Sequence, residues 1–366
     1  MHPMRGPNRF KLGIFAANAD GGLSLTRVPE RWAAHWSDIV EVAQMADSAG
    51  IEFFLPIARW KGFGGAFNIR EWSFETLTFA AALAGVTNRI ALFSTVHVPM
   101  VHPVFAAKAL ATVDHASGGR AGLNVVCGWN PQEFAAFGVA MPDDRYAQGL
   151  EWTQIVERIF TGGPPFDFTG RFYDLKSVSG LPLSVQRPRP VTLNAAFSPT
   201  GRDFAARAVD FLLTTCVDID SGRSNIADMA TRAGAVGRQV GVYNTCHVVC
   251  RATQAEAEAY YRHYAADMED TEGVDCHMRD KAAHSSSHDP ESYRLHRQRF
   301  AGGAGTYPLI GTPKCIAEQM MRMSEVGFAG TTVSFVNFKA ELPYFIAAVL
   351  PLLREAGLRE TTADPS

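Results

Sequence analysis

The sequence lacks any apolar run of the roughly 18 residues a membrane-spanning helix needs, so no such helix is expected. Its start, MHPMRGPNRFKLGIFAAN, lacks an apolar segment followed by a cleavage pattern, and a cytoplasmic location is the expectation. No Arg/Lys stripe is present, and 34 basic against 37 acidic residues leave a net charge of −3. Neither feature favours nucleic acid as a partner. The six cysteines, at 127, 216, 246, 250, 276 and 315, include no CxxC pair. They read as reduced thiols acting as small apolar side chains. The dinucleotide fingerprint is also missing: GFGGAFN (62–68) is rich in glycine but lies in a long loop after a strand.

What is present is a large apolar fraction, 47% of 366 residues, enough for one large α/β barrel or two ordinary domains. Short apolar runs alternate with amphipathic segments. Strands are expected at 11–18, 52–58, 89–96, 121–126, 190–196, 210–216, 240–251 and 330–336. Helical stretches lie between them, including about 31–49, 75–86 and 104–117. Strict alternation implies a parallel sheet, and eight such units fit a (β/α)8 TIM barrel, read here as one domain over 1–366. Two segments exceed what a barrel needs. Residues 160–190 are rich in Gly and Pro; 267–308 are polar and rich in His and Ser, ending in AGGAGT. Both read as insertions, the second as a flexible polar lid. Its histidines, 277, 284, 288 and 296, with Cys276, match no zinc-ligand spacing, so no metal is expected.

In such a barrel the active site lies at the C-terminal strand ends. GLNVVCGWNPQEFAAFG (122–138) places an amide, Asn124, inside a buried strand and a carboxylate, Glu133, just past its end. RIALFSTV places Thr95 similarly, with His97 and His102 following. Thr95, Asn124 and Glu133 either converge on one ligand, or Thr95 and Asn124 satisfy backbone groups in the core and Glu133 is a helix N-terminal carboxylate favoured by the dipole. NAAFSPTGRDF (194–204) ends a strand and opens a helix at Ser198, Thr200 and Gly201. That pattern is either an ordinary N-cap or a phosphate site built on free N–H groups. Tyr146 opens another helix and could add a hydroxyl.

Beyond these patterns, ordered motifs resemble the bacterial luciferase-like flavin monooxygenases over about 10–355. They are ARWKGFGG (58–65), AGVTNRIALFSTV (84–96), AKALATVDHASGGRAGLNVVCGWNPQEFAAFG (107–138), DDRYAQGLEW (143–152), FTGRFYDL (168–175) and IGTPKCIAEQM (310–320). The nearest branches are the pyrimidine oxygenases of uracil degradation and the dimethyl sulfone monooxygenases. The resemblance implies a two-component enzyme. An NAD(P)H-dependent flavin reductase would supply reduced FMN, and O2 would be the co-substrate. It also implies a homo-oligomer, dimer or tetramer. It further implies that Thr95 and Asn124 sit by the flavin N5 edge and help hold O2, in a branch known for a flavin-N5 oxygen adduct. Glu133 would orient a donor or manage a proton, and His247 would act as acid or base. Tyr146, Ser198 and Gly201 would hold the phosphate end, and Ala196 and Phe197 would also belong to the cofactor site.

Departures from the family bear on the substrate. Thr245 and Ala301 stand where alkanesulfonate enzymes carry arginines, although Arg297 or Arg299 could compensate. Asn337 stands where they carry a tyrosine. Trp60, Phe63, Trp129, Phe335 and Asn337 are the expected pocket lining, and a small neutral organic substrate (an N-heterocycle, a sulfone or an aromatic compound) is expected. Two other readings remain: a deazaflavin-dependent hydride-transfer enzyme, or a non-catalytic flavin-binding protein.

Overall fold

The computed structural model describes residues 2–128, 130–282 and 290–360, with side chains left undescribed at 280–282 and 290–296. Eleven strands occur among these residues: β1 Lys11–Phe15, β2 Phe53–Leu55, β3 Ala91–His97, β4 Ala121–Val126, β5 Phe166–Thr169, β6 Asp174–Val178, β7 Val191–Ala195, β8 Phe211–Thr214, β9 Gly241–Cys250, β10 Tyr307–Gly311 and β11 Gly330–Val333. Eight of them, in the order β1-β2-β3-β4-β7-β8-β9-β11, close into a parallel barrel, β11 pairing back onto β1. Helices connect the strands, as the alternation of apolar runs requires of a parallel sheet. Each of the eight expected strands is found as a barrel strand.

The two faces of each strand meet different partners, and this decides where side chains can act. Leu12, Ile14, Leu92, Leu123, Val125 and Val333 face outward, into the core shared with the helices. Phe53, Leu55, Phe93, Leu193, Leu213 and Tyr243 face inward and fill the barrel. Phe53 meets Phe93 and Tyr243 edge-on at 5.8 and 5.7 Å, forming a solid aromatic floor. Gly122 explains one small residue in the sequence: a Cβ there would lie 2.7 Å from the Phe93 ring. Above this floor the inward positions turn polar: Thr95 and His97 on β3, Asn124 on β4, Thr245 and His247 on β9, Thr332 on β11 and Ser334 just past it.

Helix starts also face the mouth. His102, Asn130, Ser198 and Thr312 each cap a helix whose next residue is proline. Proline at that position loses no hydrogen bond and presets the helical φ. The sequence did not reveal three elements. β5 and β6 form an antiparallel hairpin within 160–190. In the 267–308 segment, the described residues include helices Thr271–Ala282 and Pro290–Gly303, not a featureless loop. β10 pairs with the C-terminal half of β9, beyond the stretch that β8 and β11 reach. Among the described residues no helix is long and apolar enough to cross a membrane.

Candidate active site

Thr95 and Asn124 lie opposite each other in the β3–β4 register. The Thr95 hydroxyl donates to the Pro56 carbonyl at 2.6 Å, and the Asn124 amide nitrogen donates to Thr95 Oγ1 at 3.1 Å. A hydroxyl has one hydrogen, and here the Pro56 carbonyl takes it. Thr95 can therefore only accept from Asn124, which fixes the amide with its nitrogen toward Thr95. Asn124 Oδ1 is buried and has no partner among the described residues. In this arrangement the Thr95 hydroxyl hydrogen is taken by Pro56, and its oxygen holds the Asn124 amide.

Glu133 lies close by but is engaged. Its Oε1 accepts from the Trp60 backbone N–H at 3.1 Å and pairs with Arg59 Nε at 3.2 Å. Both side chains are almost wholly buried (3% and 1% exposed). Burial holds the carboxyl pKa above its ordinary value, and the Arg59 charge and backbone N–H groups offset only part of that rise. The carboxylate ties the loop after β2 to the helix after β4. His97, two residues past Thr95 on the same strand face, joins this side of the mouth. Its Nδ1 is buried without a partner among the described residues, and burial, followed by the Arg59 charge, lowers its pKa to about 4. The period of two from Thr95 was the signal that could have promoted it.

The second group comes together at the start of the helix Pro199–Ala208. Ser198 Oγ accepts the Gly201 N–H at 3.1 Å and lies 3.3 Å from the Tyr146 hydroxyl. A Cβ on Gly201 would come 2.7 Å from the Tyr146 oxygen and 2.9 Å from Ala196 Cβ, so only glycine leaves the cradle open. Ser198 is an N-cap, and whichever of the Ser198 and Tyr146 hydroxyls accepts in their contact keeps its hydrogen for a ligand. Ala196 is buried beneath the cradle, and Phe197 is more than half exposed beside it (55%).

The expected pocket lining is corrected in three places. Phe335 faces outward and packs edge-on against Phe338 and Phe345 in the helix-side core. It stands two residues past the outward Val333, so strand period puts it on the wrong face. Phe63 is buried in a satellite core with Leu25, Ile69 and Phe300, where it also meets the His277 ring at 4.6 Å. Asn337 caps the helix Phe338–Ala348, accepting from Ala340 N and donating to the Glu30 carbonyl. Trp60 does reach the rim, 41% exposed and edge-on to Phe137 at 4.8 Å. Trp129 lies outside the described residues.

His247 faces inward on β9, in the column above Tyr243 and Thr245. Arg297, one compensating cation considered above, is paired with Glu269 and Asp275. Arg299 donates to the carbonyls of Thr306, Cys216 and Val217 beside the end of β8.

The family model for luciferase-like monooxygenases matches residues 10–330. The chain belongs to the luciferase-like monooxygenase family. An FMNH(2)-dependent dimethylsulfone monooxygenase of Pseudomonas putida is 30% identical over 352 residues, covering 94% of this chain and 95% of that protein. The pyrimidine monooxygenase RutA of a Bradyrhizobium species is 28% identical over 360 residues, covering 95% and 98%. Among solved structures, a riboflavin lyase with modified FMN and riboflavin superposes with a TM-score of 0.85 at 22% identity, covering 98% of this chain and 94% of that one. For this luciferase-like monooxygenase, two features of the chain's own geometry fit a flavin. One is the open Gly201 cradle at a helix start; the other is the unpartnered amide oxygen of Asn124 above the barrel floor.

Proposed function

We propose that the chain is the oxygenating component of a two-component monooxygenase. It would take reduced FMN from an NAD(P)H:flavin reductase and insert one atom of O2 into a small neutral organic substrate. Bound at this site, reduced FMN supplies the two electrons by which O2 gives one oxygen atom to the substrate and one to water. The observation that carries the reading is the fixed amide. Asn124 Oδ1 is an acceptor held in a buried place, suited to the N–H that a flavin carries at N5 only when reduced. The other amide hydrogen on Asn124 Nδ2 is a preorganised donor for charge developing on oxygen. Tyr146, Ser198 and the first N–H groups of the Pro199–Ala208 helix would take the phosphate. Glu133, through Arg59 and the Trp60 backbone, would hold the rim in register with the amide.

Relatives named for a sulfone and for pyrimidines bracket the substrate as small and uncharged. The composition of the mouth agrees: Trp60, Phe137 and Phe197 give it an apolar rim, Thr245 and Ala301 supply no cation, and Arg297 is engaged elsewhere. The helices of 267–308 and the glycine run after them would form the cover that keeps water from the reaction.

Anaerobic equilibrium binding tests the cofactor part. Reduced FMN should bind more tightly than oxidised FMN, and Ser198→Ala with Tyr146→Phe should weaken both about tenfold, the scale of one or two lost hydrogen bonds to phosphate. Equal binding of the two redox forms would remove the role given to the Asn124 oxygen.

A further inference from the structure

His247 has a determined tautomer. Its Nδ1 lies 2.9 Å from Thr306 Oγ1, and Thr306 Oγ1 lies 2.7 Å from the Gly303 carbonyl. A carbonyl cannot donate, so the threonine hydrogen points at Gly303. The hydrogen between Thr306 and the ring must then sit on Nδ1. In the neutral ring Nε2 is left as a bare lone pair. Burial, followed by the Arg299 charge, lowers the histidine pKa to about 3, so the ring is neutral near pH 7. The ring is also held in place. Tyr261 stacks on it at 5.6 Å and 29°. A Cβ on Gly303 would lie 2.2 Å from Nδ1, so the backbone of the glycine run lies directly against it.

Nε2 is buried and has no partner among the described residues. Two more buried oxygens share that condition on the neighbouring strand's inward face: Thr332 Oγ1, beside Thr245 in register, and Ser334 Oγ, whose backbone carbonyl accepts from Val248 N. A locked acceptor with two hydroxyls nearby is costly to bury unless something pairs with it. This group lies on the β9–β11 side of the mouth and is separate from the Thr95–Asn124 pair on β3 and β4.

We propose that His247 Nε2 is a fixed hydrogen-bond acceptor for the substrate. The substrate would then be a neutral compound presenting an N–H or O–H donor, with an adjoining carbonyl within reach of the Thr332 and Ser334 hydroxyls. This deepens the monooxygenase reading and rests on it. It favours a cyclic amide, imide or phenol over a sulfone, whose oxygens only accept.

The test uses the full chain saturated with reduced FMN under anaerobic conditions, so that binding is read without turnover. Calorimetric titrations compare uracil with 1,3-dimethyluracil, 2-pyridone with N-methyl-2-pyridone, phenol with anisole, and dimethyl sulfone. At least one donor should bind about tenfold or more tightly than its methylated counterpart and than dimethyl sulfone. His247→Phe, which keeps a ring but removes the acceptor, should abolish that preference while reduced FMN still binds. Equal binding within every pair, tighter binding of dimethyl sulfone, a preference that survives His247→Phe, or no binding of any donor would overturn the proposal. Failure of reduced FMN itself to bind would instead contradict the monooxygenase reading. Nitrogen-15 spectra of histidine-labelled protein give a check that needs neither ligand nor variant. They should show His247 protonated at Nδ1 and bare at Nε2, and a proton on Nε2 would overturn the assignment.

Discussion

The mouth of the barrel owes its chemistry to hydrogen-bond direction. Thr95 and Asn124 were both visible in the sequence as polar residues in buried strands, but the direction of their shared hydrogen bond was not. It depends on the Pro56 carbonyl, 39 residues away in sequence from Thr95. Thr95→Val should leave the fold intact and free the Asn124 amide to turn. Product formation with a reductase should fall by about a hundredfold, the scale of one misplaced preorganised group, while Thr95→Ser should retain most of it. Equal losses in Ser and Val would contradict the positioning role. Glu133 was legible as a candidate; its engagement with Arg59 was not, because no spacing in the chain relates 59 to 133. Glu133→Gln removes one charge of the buried Arg59–Glu133 pair and should cost about 3–5 kcal/mol in denaturant unfolding, and a loss under about 1 kcal/mol would contradict the buried pair.

Strands and helices were read well where period and punctuation speak, and poorly where tertiary pairing decides. The eight barrel strands follow from apolar runs, and one helix start follows from the capping pattern at Ser198. Phe335 was misplaced because aromatic character was weighed without the strand's period of two; counting from Val333 assigns it outward. β10 escaped notice because its partner is the overlong β9, a long-range pairing without a local signal. The glycine run that ends the helix Pro290–Gly303 illustrates how elements constrain one another. Gly303→Ala would place a Cβ against the His247 ring, and the expected result is about 1–3 kcal/mol of destabilisation. A wild-type unfolding midpoint for that variant would contradict the packing described.

For the whole molecule, the buried neutral histidines set the acid limit of stability. His247, His97 and His2 have folded-state pKa values of about 3, 4 and 4 against 6.5 ordinarily, each lowered mainly by burial. The charged neighbours are Arg299 at His247, Arg59 at His97, and Arg5 and Asp210 at His2, and the neutral Tyr261 stacks on His247. Between pH 6.5 and about 4 the unfolded chain binds protons that the folded chain does not, so stability falls as the pH is lowered through that window. Each histidine contributes up to about 1.4 kcal/mol per pH unit. Urea midpoints should therefore be level above pH 7 and drop below pH 6, and a flat profile down to pH 5 would contradict this burial.

Control of the reaction between reduced flavin and O2 is the property proposed for this barrel. The most direct measurement is rapid mixing of the anaerobic protein–reduced FMN complex with O2, with the flavin spectrum followed in time for wild type, Thr95→Val and Asn124→Ala. A protein-dependent reoxidation course, with or without a donor-bearing substrate, is expected, and both substitutions should alter it. Reoxidation indistinguishable from free FMN in every case, with flavin demonstrably bound, would contradict it.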